Sequence, residues 1–188
     1  MPPKPTGKSR RLVLGAVVVL ALAVGVGVLV APRNDRPSAR EVEALQEALR
    51  GPTQHWGRLE IQGMRAAVAD LQAPEGVPDE LIGGEARAWQ SSLSDIAGRI
   101  EGIRTSDDLR PIVTAFRRAV DPYLDAARLF EQATTVTGAE RTALIERGAA
   151  AAQQGAVLYN EASMQLQAAR RRAGLPPTTD FPDHPAES

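Results

Sequence analysis

Residues 82–103 read IGGEARAWQSSLSDIAGRIEGI. Trp89, Leu93, Ile96, Ile100 and Ile103 recur at alternating steps of four and three, and Ile82 stands one heptad before Trp89. Such steps return a side chain to the same face of a helix that turns once per 3.6 residues. A stripe this narrow is what one helix offers another at a shallow crossing angle. The stretch therefore predicts helix-on-helix packing and an all-α fold.

The pattern continues downstream. Leu109, Val113, Phe116, Val120, Tyr123, Ala127 and Phe130 keep the same alternation. Thr105 with Asp108 has the spacing of a capping box, and Pro111 falls in or just past the first turn, where a missing amide costs least. Pro122 lies inside the run, and the expectation is a helix bent or split near Asp121. The β-branched TTVTG (134–138) breaks the pattern, with Thr137 and Glu140 spaced as a second capping box. A last helix then runs from Gly138 to about Ala173, a length of ~50 Å. Leu144, Gly148, Ala151, Gly155, Leu158, Ala162, Leu166 and Ala169 line one side of it. Small residues there let a neighbour approach closely, with the two Trp and three Phe elsewhere filling the facing space. Gly174-Leu175-Pro176-Pro177 is a helix stop, with Gly for the left-handed position and Pro to prevent continuation. Phe181 is the one residue of the polar tail suited to dock on the bundle.

Upstream, Ile61, Met64, Val68 and Leu71 mark a helix from near Thr53 to Ala73-Pro74, with Trp56 a turn earlier. Before it, Ser38 and Glu41 form a capping box that opens a short helix carrying Val42, Leu45 and Leu49. Gly51-Pro52 is expected to stop that first helix. The sum is an antiparallel bundle of four main helices plus one short helix over 38–175, followed by a flexible polar tail over 176–188. No repeat at solenoid periods is visible.

The amino-terminal end is of another kind. Residues 12–31 hold five Leu, eight Val, four Ala and three Gly, with no polar residue. Twenty helical residues span ~30 Å, the thickness of a bilayer's hydrocarbon core. Each Leu or Val near the centre contributes roughly −0.3 to −0.6 kcal/mol to insertion, and no charge opposes it. The expectation is a single transmembrane helix that is retained as a signal-anchor. A cleaved signal peptide is the alternative, yet its apolar stretch is about 7–15 residues, and small-x-small sites such as ALA (21–23) are followed here by more apolar residues. Lys4, Lys8, Arg10 and Arg11 precede the span with no acid among them. They place 1–11 as a short basic cytoplasmic tail, with 32–37 as linker and the bundle outside the cell membrane.

Beyond residue 31, the remaining 18 Arg stand against 23 Asp and Glu, a net of −5. That lacks the basic field phosphate-backbone binding needs, so nucleic acid is not an expected partner. Arg in preference to Lys, with abundant Ala, Gly and Val, points to a GC-rich bacterial genome. There is no cysteine, which removes disulfides, thiolate metal sites and cysteine nucleophiles.

No catalytic, cofactor-binding or metal-ligating residue is expected from the sequence. His55 and His184 have no second ligand at helical spacing. Glu43 and Glu47, and Asp121 and Asp125, are a turn apart but flanked by arginines, as on an ordinary charged face. SSLS (91–94) lacks a nucleophile's context, and no phosphate-binding glycine motif occurs. Arg170, Arg171 and Arg172 complement the dipole of a helix C-terminus. The sequence reads as a non-enzymatic, membrane-anchored extracytoplasmic module, with the bilayer as partner through 12–31. An envelope protein, or a second copy, is the further partner. A ligand-sensing four-helix domain acting through a partner, and a secreted helical protein, are the alternatives.

Overall fold

The computed structural model describes residues 37–59, 63–73 and 78–181. The expected membrane span at 12–31, its flanks up to residue 36, Ile61, and the tail beyond Phe181 with His184 lie outside them. Among the described residues there are five helices and no strand: α1 (Ala39–Leu59), α2 (Arg65–Gln72), α3 (Asp79–Glu101), α4 (Arg110–Ala133) and α5 (Gly138–Arg172). None of them is long and apolar enough to cross a membrane.

Residue pairs across the seams give the topology. Arg87 meets Glu131 at one end of α3 and α4, and Glu101 meets Arg117 at the other. Phe130 lies on Gly148 and Tyr123 on Gly155, so α5 returns antiparallel along α4. Trp56 of α1 stacks edge-on to Tyr159, with centroids 4.9 Å apart, while Met64 and Val68 face Ala152 and Ala149. Helices α1 and α2 therefore run as one interrupted arm against α5. Up, down, up and down, the chain makes a four-armed bundle, with α3 joined to α1 where Gly51 faces Arg99.

The heptads form the core as expected. Ile82, Trp89, Leu93, Ile96 and Ile100 of α3 are buried, as are Leu109, Val113, Phe116, Val120, Tyr123, Ala127 and Phe130 in and beside α4. The small residues of α5 admit a close neighbour as expected, although the ring against Gly155 is a tyrosine and not one of the Trp or Phe. A Cβ on Gly155 would sit 2.3 Å from the Tyr123 ring, and one on Gly148 2.5 Å from the Phe130 ring. Gly63, in the π-turn before α2, is also held close, where a Cβ would sit 2.8 Å from Trp89 Nε1.

Several expectations are corrected. Gly51-Pro52 does not end a helix, because α1 continues through it to Leu59. Proline removes one helical amide and strains the preceding turn, by ~3 kcal/mol. Burial of Val42, Leu45, Leu49 and Trp56 along one continuous face offsets that. The short helix is accordingly α2, eight residues long, and not the first. Pro122 does not split α4, which is continuous over 24 residues. Of the three capping boxes, only the first forms. Ser38 donates to Glu41 from its amide at 2.8 Å and from its hydroxyl at 2.7 Å, and Glu41 donates its amide back to Ser38 Oγ at 3.3 Å. Neither Leu109 at the start of α4 nor Thr137 at the start of α5 makes a side-chain cap. Before α4, a turn takes over, in which the amides of Leu109 and Arg110 both donate to the Ser106 carbonyl.

The end of α5 closes as its sequence indicates. Gly174 adopts φ +74°, the Leu175 amide donates to the Arg170 carbonyl at 2.9 Å, and the Gly174 amide to that of Arg171 at 3.1 Å. This paired pattern is the Schellman motif, and glycine occupies its left-handed position without a Cβ penalty. The chain then turns back along the α1–α5 seam, and Phe181 is buried 5.6 Å from the Phe116 ring.

Candidate functional site

The chemistry-bearing residues are dispersed. His55 is exposed beside Gly51, Gln54, Asp95 and Arg99 in a shallow depression between α1 and α3. Of the carboxylates noted as pairs, three are engaged by arginines of their own helix: Glu47 by Arg50, Asp121 by Arg117 and Asp125 by Arg128. These are exposed neighbours on helix faces, the kind that contributes little to stability. Ser91 and Ser94 are exposed on either side of the buried Leu93. Among the described residues, no group of three or more His, Asp and Glu is placed to hold a metal ion.

The arginine run at the end of α5 divides by role. Arg171 and Arg172 are exposed beside Asp108, Pro111 and Gln165. Arg170 is buried. Its Nε and Nη2 donate to the Pro176 carbonyl at 2.8 and 2.6 Å, and its Nη1 donates to Gln46 Oε1. Asp180 accepts from Arg50 Nη2 at 2.7 Å and from Gln46 Nε2, while Gln167 donates to the Thr178 carbonyl at 2.7 Å. The network ties the tail to both α1 and α5. The hydrogen bond from Arg50 is the main cause that holds the Asp180 carboxyl below its usual range, and the same contact raises Arg50. At the opposite end of the bundle, Arg141 grips Asp79 with two bonds of 2.7 and 2.8 Å and lowers its carboxyl likewise. Glu131 is lowered by Gln90 and then by Arg87. All of these shifts favour the ionised form, the opposite of what a general acid near neutral pH requires.

A half-open groove of about 440 Å³ lies between α2 and the first half of α5. Met64 and Val68 form one wall, Ala149, Ala152 and Ala156 the floor, and Arg65, Gln72, Glu146 and Gln153 the polar rim. The alanines that let α2 approach α5 are too short to fill the space between them. Compared with known protein families, curated proteins and solved structures, the chain matches none. Its surface is therefore the source for a functional reading.

The surface of α5 outside the groove continues the same character. From Gly148 to Ala169 its only charged residue is Glu161. The neighbouring α4 carries Arg110, Arg117, Arg118, Asp121, Asp125, Arg128 and Glu131 over a similar length. Val157 and Met164 are among the large apolar side chains left exposed. Loss of charge with retention of exposed Met and Val is the composition of an interface core. This surface carries no motif in the sequence. Its signal is the charge-free GAAAAQQGAVLYN (148–160), visible only once the burial of one side is known.

Proposed function

We propose that this protein is a membrane-anchored extracytoplasmic interaction module, non-enzymatic, and built to hold another envelope protein or a second copy near the membrane. The observation that carries the reading is the charge-poor outer surface of α5 and its groove on a bundle whose other helices are densely charged. The twenty uncharged residues at 12–31 support the anchor. The acidic balance of the rest argues for a protein partner over nucleic acid.

The anchor is tested in native membranes. Alkaline carbonate extraction should leave the full-length chain in the membrane pellet, and protease added to intact spheroplasts should degrade residues 38–175. A mature chain found free in the medium, trimmed ahead of Arg33, would replace the anchor with a cleaved signal peptide. Full protection from protease would reverse the orientation.

The groove favours a second reading, in which the bundle senses a small molecule through a partner. Its apolar floor and polar rim are the composition of a ligand pocket. A metabolite that raises the unfolding temperature, with Ala152→Phe abolishing the effect, would support sensing over protein docking.

A further inference from the structure

The outer face of α5 has a repeat of its own. Starting at Arg147, the positions Ala150, Gln154, Val157, Glu161 and Met164 follow at steps of three and four, and all six are exposed. Val157 is 43 % and Met164 60 % exposed. They lie opposite Gly148 and Gly155, which face Phe130 and Tyr123. A 3-4 repeat normally marks the seam where a helix meets another helix, and no helix of the described chain covers this one. Its two charges, Arg147 and Glu161, make no ion pair among the described residues.

These charges also select a partner and a direction. They stand fourteen residues apart, ~21 Å along the helix, with opposite signs at the two ends of an otherwise uncharged stretch. We infer that this face pairs with the same face of a second copy of the chain, with the two α5 helices antiparallel. A two-fold axis between Gln154 and Val157 sets Val157 of each copy beside Gln154 of the other. It brings Arg147 of each copy within a turn of Glu161 of the other, twice over. Parallel pairing sets Glu161 against Glu161 and Arg147 against Arg147, which like-charge repulsion disfavours. Ala150, exposed at the edge of the α2–α5 groove that it also lines, is small enough to let the backbones approach. The inference rests on the interaction-module reading and names its partner.

The chain has no cysteine, so one introduced thiol is unique. In native membranes holding the full-length protein, Gln154→Cys treated with a short bis-maleimide gives a dimer at twice the chain mass. Met164→Cys does not, because antiparallel symmetry separates the two thiols by ~25 Å along the axis. Adding Glu161→Arg to Gln154→Cys lowers the dimer yield several-fold, and further adding Arg147→Glu restores it. Met164→Cys dimerising as well as Gln154→Cys, or no recovery in the charge swap, overturns the antiparallel pairing. Gln154→Cys joined only to a different protein overturns the second copy and leaves the interaction module standing. A Gln154→Cys thiol that a monofunctional maleimide labels fully, yet that joins no protein, overturns both.

Discussion

Gly155→Ala is the most demanding test of how α4 and α5 pack. The added Cβ would lie 2.3 and 2.4 Å from Cε2 and Cδ2 of Tyr123, and 3.0 Å from its Cζ. Carbon atoms rest at about 3.5–4.0 Å, so the overlap exceeds ~1 Å. The ring has little room to retreat. Tyr123 is fully buried and stands edge-on to Trp56, with centroids 5.3 Å apart. Overpacking of a tight core costs about 1–3 kcal/mol, and the rigid backing puts this site at the upper end. Alanine recovers about 1 kcal/mol of helix propensity over glycine. The net expectation is a loss of about 2 kcal/mol. With a urea dependence of about 1–3 kcal/mol per M, the midpoint falls by roughly 1 M. Tryptophan fluorescence of the full-length chain in mild detergent follows the transition. Gly98→Ala is the matched control, since its Cβ meets nothing within 4 Å. It should raise stability by up to about 1 kcal/mol. A Gly155→Ala midpoint at or above the wild-type value refutes the close-packing account.

Two further outcomes concern the tail. Arg170→Ala removes the donors to the Pro176 carbonyl and Gln46 and should cost about 2–3 kcal/mol. Protease cleavage near Thr178 should become fast, and unchanged resistance would count against the clasp. The Asp180 contact also sets a pH dependence. Its carboxyl is lowered in the folded state by Arg50, so its stabilisation is present above the unfolded carboxylate pKa of about 3.9 and is lost as pH falls through the lower folded value. Asp79, lowered by Arg141, adds in the same direction. Stability should therefore drop on acidification below about pH 4, and Asp180→Asn should flatten that drop in an acid unfolding titration.

The arms of the bundle were legible because period and burial agree in them. Ile82 to Ile100 and Leu109 to Phe130 needed only spacing to be placed in the core. Gly174 likewise carried its own conformational reason. The arm boundaries were less legible, since a local stop signal competes with burial that local sequence does not reveal. Gly51-Pro52 has the composition of a terminator, yet Leu49 and Trp56 on either side share one buried face. Thr105 and Thr137 have capping spacing without the cap, because spacing does not fix the backbone angle at which a side chain meets an amide. Arg170 was readable as a terminal cation. That it is buried, and bonded to a proline carbonyl six residues on, depends on the chain's return. The surface of α5 was hardest to find. Charge depletion looks the same in a buried helix and in an exposed docking face, and only the position of α4 and α1 tells them apart.

Gln46, near the start of the bundle, and Asp180, past its last helix, share one set of hydrogen bonds across 134 positions of chain. The lock on the first arm is thus made more than a hundred residues after that arm. Until then, Phe116 and its neighbours have no Phe181 beside them. At roughly 5–20 residues per second, synthesis of the 65 residues between Phe116 and Phe181 keeps that gap open for ~3–13 s. A nascent chain therefore has Phe116 uncovered by Phe181 for seconds, and a product truncated before Phe181 keeps it so.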